Sequence, residues 1–576
     1  MVVSPYGFWN SPITSDLVVA DAIRLDQVAL DGNAIYWTEY QPQKRGRCFV
    51  YRVAQGEEPE LITPDDENHF NVRTRVHEYG GGSFVVEDGI VYFSNFANQR
   101  LYRQNVGQQP RPITPPRTGA LRYADGVIDR RRGRIICVQE DHTLPGKVIN
   151  TLVSIDITGV QAPQILACGN DFYSTPRLTP DGSRLVWLTR DHPNMPWVTT
   201  EAWVGEFEGN GMLRNARRVA GGADEALFQP EWSPDGDLYI VSDRGNGWWN
   251  LYRERDCSLE PMAPREAEFG RPQWTFGMST YAFESAERII CCFFEDGKWN
   301  LAELDTRTKR FDPIPARFTD ISQLRAGPGP PFSQKFTAPQ AQKAPILVKS
   351  HGGPTASISR TLSLAVQFWT SRGIGVLDVN YRGSTGYGRS YRLRLKQQWG
   401  ISDVQDCIYG ARYLIGNRNA DPDRLMISGG SAGGYTTLCA LTPEHEITFR
   451  AGASYYGVSD LVALARDTHK FESHYLDWLV GPYPDEHQAY VDRSPIHHTD
   501  RLSVPVIFFQ GAEDKIVPPN QTELMVSSLK QRGIPFGYFL FDGEQHGFRK
   551  GENIKRSLDA ELYFYAAHLL RSGLHF

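Results

Sequence analysis

A pentapeptide, Gly429-Gly-Ser-Ala-Gly433, constrains the fold of this chain more than any other feature. It follows a short apolar segment, 424–428, that predicts a strand, and it precedes 435–440, which predicts a helix. In a Gly-x-Ser-x-Gly turn of this kind the chain bends so sharply that glycines must flank the serine, whose hydroxyl stands out above a sheet. The pentapeptide therefore predicts a nucleophile elbow with Ser431 as the nucleophile, although a plain glycine-rich turn has the same composition.

Two later predicted strands, 504–510 and 536–541, end beside the residue types that such a nucleophile needs. Asp514 follows the first strand and His546 follows the second. Catalytic groups of open α/β sheets collect beyond the carboxyl ends of strands, and the order Ser, Asp, His is that of the α/β-hydrolases. Because a free serine is a weak nucleophile, we predict that His546 takes the proton of Ser431 and that Asp514 orients the imidazole.

Other candidates for the acid and the base leave a second assignment open. His497 and His498 lie close to a predicted strand, and Asp460 follows a strand-like segment. These residues do not complete the strand-end spacing of the Ser-Asp-His set, which we therefore prefer.

An earlier predicted strand, 345–350, ends in a second glycine turn, His351-Gly-Gly-Pro354. Backbone N–H groups in such a turn are not obstructed by side chains. We predict that Gly353 and Ala432, the residue after the nucleophile, form the oxyanion hole. An ordinary Gly-Gly turn is the alternative.

Five motifs together carry a family resemblance: His351-Gly-Gly-Pro354, Asn380-Tyr-Arg-Gly-Ser-Thr-Gly-Tyr-Gly388, Gly429-Gly-Ser-Ala-Gly-Gly434, Gly511-Ala-Glu-Asp514 and Glu544-Gln-His-Gly547. From 345 to 576 the chain resembles the prolyl oligopeptidase family of serine peptidases, and within it the branch of acylaminoacyl-peptidases and dipeptidyl or aminopeptidases. The resemblance implies peptide-bond hydrolysis through an acyl-enzyme, no cofactor and no metal. It also implies a β-propeller in front of the hydrolase.

Length and composition agree with a large globular enzyme. A chain of 576 residues is too long for one core and predicts two or three domains. Its formal charge of −6 argues against a nucleic-acid partner, and the sequence has no apolar run long enough to span a membrane. The N-terminus lacks the pattern of a secretory signal, and the eight scattered cysteines look like reduced thiols. We therefore expect a cytoplasmic protein.

Residues 1–325 show short alternating strands and internal repeats instead of helical periodicity. The segment 176–188 returns as 230–242, each with a Pro-Asp-Gly hairpin. Repeats of this kind at a spacing of roughly 40–50 residues are typical of propeller blades, with stacked β-sandwiches as the alternative. We predict six blades that start near residues 24, 73, 120, 172, 225 and 270.

A seventh blade, which the family resemblance implies, is truncated here. Residues 318–325 look like its first strand, but the proline-rich segment 326–345 that follows cannot supply ladder donors and is predicted to be a linker. The predicted domains are therefore a propeller at 1–325, this linker, and an α/β-hydrolase at 346–576. We expect the strand 345–350 to lack neighbours on one side, and such open edges leave a homo-oligomer possible.

The residues that bind the substrate are harder to predict. Tyr455 and Tyr456 end a predicted strand near Ser431, and Leu461 follows it. All three are candidates for the pocket wall, and the alternative for either tyrosine is a core position in the strand. In the propeller half, Arg73-Thr-Arg-Val-His-Glu-Tyr-Gly-Gly-Gly82 combines charges with three glycines. Arg75 and Glu78 in this segment are candidates for substrate binding, with Glu78 facing a free amino terminus. A plain surface loop is the alternative.

The sequence thus predicts a serine exopeptidase that acts at the N-terminal end of short peptides. It leaves open whether one residue, two residues or an acylated residue is released. A carboxylesterase would use the same elbow, triad and glycine turn, although it has little need of a propeller. A binding protein with an inactive hydrolase is a further alternative, which the intact triad argues against.

Overall fold

Alternating short strands joined by tight turns build six four-stranded sheets in the N-terminal part of the molecule. The structure, a computed structural model, describes residues 5–20, 23–66, 70–116, 119–255, 258–316, 318–325, 344–444 and 448–570. One hairpin shows how the sequence makes the turns. Asp181 accepts hydrogen bonds from the hydroxyls of Thr179 and Ser183, and Gly182 between them has a φ of 67°. Small polar residues and a glycine therefore close this repeat.

The six sheets are the blades of a propeller, and each is a meander of four consecutive antiparallel strands. The predicted six blades are confirmed. Their strands are β1 Arg24–Asp31, β2 Ala34–Gln41, β3 Arg47–Ala54, β4 Glu60–Leu61; β5 Phe84–Glu87, β6 Ile90–Ser94, β7 Leu101–Asn105, β8 Arg111–Pro112; β9 Leu121–Asp129, β10 Arg134–Leu144, β11 Lys147–Asp156, β12 Gln164–Ala167; β13 Phe172–Leu178, β14 Arg184–Arg190, β15 Glu201–Phe207, β16 Leu213–Gly221; β17 Leu227–Trp232, β18 Leu238–Ser242, β19 Asn250–Arg255, β20 Ser258–Pro261; β21 Tyr281–Ser285, β22 Arg288–Glu295, β23 Lys298–Asp305 and β24 Phe311–Ile314.

The region after the sixth blade differs from the prediction. Residues 318–325 form no strand, because their polar groups bond to the sixth blade instead of starting a new sheet. The N–H of Trp299 donates to the carbonyl of Thr319, and the Arg325 guanidinium donates to the hydroxyl of Ser279. Leu324 and Arg325 also line the central channel, a cavity of about 430 Å³. The predicted linker at 326–345 lies almost entirely outside the described residues.

The C-terminal part is built on a parallel sheet of six strands, in the order β26-β25-β27-β28-β29-β30. The strands are β25 Ala344–Ser350, β26 Gly375–Val379, β27 Ala420–Gly430, β28 Ala451–Tyr455, β29 Val506–Gly511 and β30 Phe536–Phe541. The expectation that the strand at 345–350 lacks neighbours on one side is wrong. The crossover after β25 brings β26 to that side, so β26 is the edge strand.

Helices cover both faces of this sheet, and the strand residues alternate between them. Val506 and Phe508 face one apolar layer, whereas Ile507 and Phe509 face the other. In the described part of the chain, no helix combines the length and apolar character needed to cross a bilayer. The helices are α1 Ser15–Ala20, α2 Leu364–Thr370, α3 Gly388–Arg392, α4 Ser402–Gly416, α5 Ala432–Leu441, α6 Leu461–Asp467, α7 Tyr475–Leu479, α8 His487–Asp492, α9 Asn520–Arg532 and α10 Gly551–Tyr565.

The N-terminal segment packs mainly on the hydrolase, with one hydrogen bond from Gln43 of the propeller to the carbonyl of Val19, which corrects the predicted boundary at residue 1. The carbonyl of Ile13 accepts a hydrogen bond from Arg372 at 2.9 Å, and Asp16 pairs with Lys555 of α10 at 2.7 Å. Val18 packs into the apolar layer beside α2 and α10. The chain therefore starts on the hydrolase, runs through the propeller and returns.

A buried ion pair fixes the two units to one another. Asp243, after β18 of the propeller, accepts hydrogen bonds from Arg389 and Arg392 of the hydrolase at 2.9 and 2.8 Å. Arg392 is 1% exposed and its guanidinium lies 4.4 Å from the Trp249 ring. Because both charges are removed from water, separating the units would require these groups to be rehydrated together.

A buried carboxyl in α4 predicts a measurable dependence of stability on pH. Asp403 is fully buried, and it accepts hydrogen bonds from the N–H of Gly400 at 2.7 Å and the hydroxyl of Thr436 at 2.6 Å. Burial raises its pKa from 3.8 to about 6. The folded protein therefore holds this proton more tightly than the unfolded chain. The resulting cost is absent below about pH 4 and reaches on the order of 3 kcal/mol above pH 6.

We therefore expect Asp403→Asn to raise the melting temperature at neutral pH relative to the wild type, and to leave it similar or lower at pH 4. The measurement is thermal unfolding of both proteins across this pH range. Parallel curves for the two proteins would show that Asp403 does not titrate in the folded state as described.

Candidate active site

The turn between β27 and α5 holds Ser431 in a backbone conformation that side chains rarely adopt, with φ 57° and ψ −124°. Glycines make this turn possible. A Cβ at Gly429 would lie 2.3 Å from the carbonyl oxygen of Gly433, and a Cβ at Gly433 would lie 2.1 Å from that of Ser350. Any larger residue at either position would displace the backbone, so the turn requires glycine at both positions.

Three side chains from three strand ends meet at this turn. Nε2 of His546 lies 2.8 Å from Oγ of Ser431, and its Nδ1 lies 2.7 Å from Oδ2 of Asp514. A buried carboxylate at Nδ1 holds the ring proton there and leaves Nε2 free to accept the serine proton. The arrangement can therefore deprotonate Ser431 and stabilise the imidazolium that results.

Backbone hydrogen bonds orient the carboxylate of Asp514 independently of its contact with His546. It is 1% exposed, and its Oδ1 accepts hydrogen bonds from the N–H groups of Ile516 and Val517 at 2.9 Å each. These two donors orient the carboxylate so that Oδ2 faces the imidazole. The turn after β29 thus holds the acid in place through its own backbone.

Glu544 fixes the loop that carries His546, a role that the sequence analysis missed. Its buried carboxylate accepts hydrogen bonds from the N–H groups of Arg549 and Lys550, both at 2.9 Å. It also accepts one from the Asn553 side chain at 3.0 Å. The available sequence signal was a glutamate two residues before the histidine and seven residues before the start of α10.

The alternative acid and base residues have other partners. Asp460 caps α6 by accepting the N–H of Ala463 at 3.0 Å, and His498 contacts the carbonyl of Asp492 at 2.7 Å. His497 lies in the short 3-10 helix Pro495–Arg501, whereas the histidine bonded to Ser431 is His546. The structure therefore brings none of the three to the nucleophile.

The His351-Gly-Gly-Pro354 turn lies directly against the elbow. A Cβ at Gly352 would lie 3.0 Å from the carbonyl oxygen of Gly430, so a side chain here would require the neighbouring backbone to shift. Gly353 has a φ of 119° and lines the same cavity as Ser431 and Ala432. The two predicted oxyanion residues thus flank the nucleophile.

His351 supports this turn and is not placed to act as a base. Its ring stacks on Tyr381 with centroids 4.1 Å apart, and its Nε2 lies 2.8 Å from the Ser384 hydroxyl. Burial lowers the pKa of His351 to about 4, so the ring is neutral at physiological pH.

A mostly apolar pocket opens beside Ser431. Its wall comes from the segment between β28 and β29 and from Trp399. Besides Gly353, Ser431 and Ala432, the lining residues are Pro354, Trp399, Val458, Leu464, Thr468, Glu472, Tyr475, Leu476, Leu479, Ile516 and Val517. Such a surface suits an apolar side chain of a ligand, and Glu472 is its one acidic member among the described residues.

The three predicted wall residues are not in this lining, so that prediction is corrected. The Tyr455 hydroxyl donates to Glu561 at 2.6 Å and its ring stacks on Phe509, which makes it a core residue. Leu461 is completely buried at the start of α6. Tyr456 packs edge-on against the His546 ring, with centroids 4.8 Å apart. Leu464 of α6 and Leu476 and Leu479 of α7 line the pocket instead.

The two predicted propeller residues lie nearby but outside the pocket. Glu78 lines a larger cleft of about 570 Å³ between the two units, and its carboxylate is paired with Arg122 at 2.5 Å. Arg75 stacks on the ring of Phe96 at 4.8 Å. Thr468 lines both the cleft and the pocket, so the cleft leads towards Ser431.

Comparisons with known proteins agree with this architecture. Residues 360–572 match the family model described as the prolyl oligopeptidase family. A Mycobacterium tuberculosis puromycin-hydrolyzing peptidase is similar in structure, with a TM-score of 0.92 and 36% identity over 99% of this chain and 98% of that one. A Pyrococcus horikoshii acylaminoacyl peptidase shares the fold, with a TM-score of 0.69 and 15% identity over 98% of each chain.

Curated relatives match a smaller part of the chain. A Caenorhabditis elegans protein named dipeptidyl peptidase family member 6 is 32% identical over 42% of this chain and 33% of its own length. The chain thus spans about a third of the length of this relative. These matches confirm the family resemblance that the five motifs carry.

Proposed function

The chain belongs to the prolyl oligopeptidase family of serine peptidases, and from this we propose that it is an exopeptidase that removes residues from the N-terminal end of short peptides. The observation that carries the proposal is the linked set Ser431–His546–Asp514, with distances of 2.8 and 2.7 Å, at the end of a cleft roofed by the propeller. The names of the relatives, which include a dipeptidyl peptidase and a puromycin-hydrolyzing peptidase, support an action at peptide ends.

In the proposed reaction Oγ of Ser431 attacks the carbonyl carbon of the peptide bond while Nε2 of His546 takes its proton. The imidazolium, stabilised by Asp514, then gives that proton to the leaving amine. The acyl group stays on Ser431 until water, activated by His546, releases it. We assign the backbone N–H groups of Gly353 and Ala432 to the oxyanion, because both residues flank the nucleophile.

Hydrolysis of matched substrates tests this function against an esterase. We expect an aminoacyl anilide to be cleaved at a measurable rate alongside the ester of the same acyl group, because His546 of a peptidase can protonate the leaving amine. Cleavage of short-chain esters without any cleavage of anilides or peptides would make the protein a carboxylesterase.

The roof over the site predicts selection by substrate size. Because the cleft between the units is bounded by a propeller held through Asp243 and its two arginines, a short flexible peptide should enter and a folded protein should not. We expect tripeptides to be hydrolysed and native globular proteins to be spared. Mass spectrometry of the products measures both reactions. Similar rates for both would show that the propeller does not restrict access.

We also propose that the enzyme works in the cytoplasm without a nucleic-acid partner. All seven cysteines in the described ranges are free thiols, and most are buried. Whether it associates into homo-oligomers depends on edges such as β26 and β30, and size-exclusion chromatography with light scattering would decide it.

A further inference from the structure

A single carboxylate lies in the pocket beside the nucleophile. Glu472 ends a short 3-10 helix between α6 and α7, and it lines the same cavity as Ser431 and Ala432. The side chain is only 14% exposed. An acid inside an otherwise apolar pocket is costly unless a partner compensates its charge.

Within the described residues, this carboxylate accepts one side-chain hydrogen bond and has no lysine or arginine partner. The hydroxyl of Tyr79, from the propeller, donates to Oε1 of Glu472 at 2.7 Å. His469 lies 3.5 Å from Oε2 without a hydrogen bond. Among the described residues, no lysine or arginine lies within ion-pair distance of Glu472. Its charge therefore remains available to a cation that enters the pocket.

Tyr79 stays protonated in its hydrogen bond with Glu472. Burial, and next the charge of Glu472, raise the pKa of Tyr79 well above 10. Asp514 adds to the same shift, so the pair lies within electrostatic reach of the triad. One oxygen of Glu472 is thus held by the phenol, which leaves the other free to accept hydrogen bonds.

We propose that Glu472, held by Tyr79, binds the free α-ammonium group of the substrate's first residue, so that the enzyme releases a single amino acid. This inference rests on the function proposed above and decides among the three modes of release that the sequence leaves open. The α-nitrogen of a first residue is one carbon away from the carbonyl that Ser431 attacks, and Glu472 shares the cavity of that serine.

The rest of the pocket argues for the α-ammonium and against a lysine or arginine side chain. Apart from Ser431, Glu472, Thr468 and the hydroxyl of Tyr475, it is lined by apolar and aromatic groups such as Leu464, Leu476 and Trp399. These suit an apolar side chain and offer few further acceptors for a long cationic one. An N-acylated residue would place an uncharged amide beside the carboxylate and leave that charge unpaired.

Glu78 is a weaker candidate for the same role. Its carboxylate is already paired with Arg122 at 2.5 Å, and it lines the outer cleft instead of the pocket. A carboxylate that is neutralised by a guanidinium attracts an ammonium less strongly than one without a cation.

The test compares the isosteric variant Glu472→Gln with the wild type on two anilides, L-leucine p-nitroanilide and its N-acetyl form. The glutamine oxygen can still accept the Tyr79 hydrogen bond, so only the charge is removed. We expect kcat/KM for the free-amine anilide to fall roughly 10²-fold in the variant and that for the acetylated anilide to change little. The matched control is Glu523→Gln, an exposed glutamate of α9.

Equal losses on both anilides, or no loss on either, would overturn the proposal. A loss confined to an N-acetyl-lysyl anilide would also overturn it, because Glu472 would then bind a side chain. If the variant fails to fold, inhibition of the wild type answers the question: leucinamide should compete far better than N-acetyl-leucinamide, and equal inhibition contradicts the proposal.

The same experiment separates this inference from the function on which it rests. Wild-type hydrolysis of both anilides without preference leaves the serine exopeptidase intact and removes only the ammonium site. Hydrolysis of neither anilide nor any peptide removes the proposed function and the inference with it.

Discussion

Replacement of Ser431 by alanine is expected to lower kcat for aminoacyl anilides by about 10⁶-fold, and His546→Ala is expected to match it. The two groups act as one unit, since the imidazole has nothing to deprotonate without the hydroxyl that lies 2.8 Å away. The double variant should therefore be no slower than either single variant. Steady-state rates of the three proteins, with thermal unfolding as the control for folding, make the comparison.

A clear additive loss in the double variant would show that Ser431 and His546 contribute independently, which the linked geometry does not allow. Substantial activity in Ser431→Ala alone would mean that another nucleophile carries the reaction. Alanine can replace serine in the elbow with no added side-chain volume, so loss of folding is not the expected cause of inactivity.

The second large effect is expected from Asp514→Asn, about 10⁴-fold in kcat by analogy with other triads. The amide oxygen can keep the N–H bonds of Ile516 and Val517. The amide nitrogen would then face Nδ1 of His546 as a donor, so the ring proton moves to Nε2. An imidazole in that tautomer cannot accept the proton of Ser431.

Asp542→Asn is the matched control, because this aspartate is exposed in the loop that carries His546. It should leave the rate unchanged within a few fold. Full activity in Asp514→Asn would mean that another carboxylate orients the histidine, and the hydrogen-bond assignment of the triad would be wrong.

The parts of this fold that local sequence determines were predictable. The Gly429–Gly433 turn depends on contacts within the elbow and with β25, and its glycines predict the turn from the sequence alone. The six blades were equally visible, because each repeat carries its own turn residues and strand alternation. The order of the triad follows from which strands precede Asp514 and His546.

Features that depend on distant contacts were not predictable. Tyr455 is the last residue of β28, close to Ser431, but its hydroxyl bonds to Glu561, more than a hundred positions later in the chain, and its ring packs in the core. The pocket wall comes instead from α6 and α7, whose placement is set by packing against propeller residues such as Trp197. Glu472 belongs to none of the five motifs, and its hydrogen bond to Tyr79 of the propeller joins residues almost four hundred positions apart in the chain.

The predicted placement of residues 5–20 in the propeller was wrong for a similar reason. Residues 5–20 precede the first blade and so looked like part of it, yet Ile13 and Asp16 bond to Arg372 and Lys555 of the hydrolase. Sequence proximity predicts pairing within a meander of strands, but a short helix can pack wherever an apolar face is open. The edge at β26 likewise follows from a crossover, whose direction the strand 345–350 alone does not reveal.

The central claim is that Ser431 is an activated nucleophile that accepts an acyl group, and covalent labelling tests it most directly. A fluorophosphonate should modify the native protein at one site, which peptide mapping places at Ser431, and a tripeptide with a free amino end should slow the labelling. Ser431→Ala should not be labelled. An unlabelled wild-type protein, or a label on a residue other than Ser431, would contradict the account.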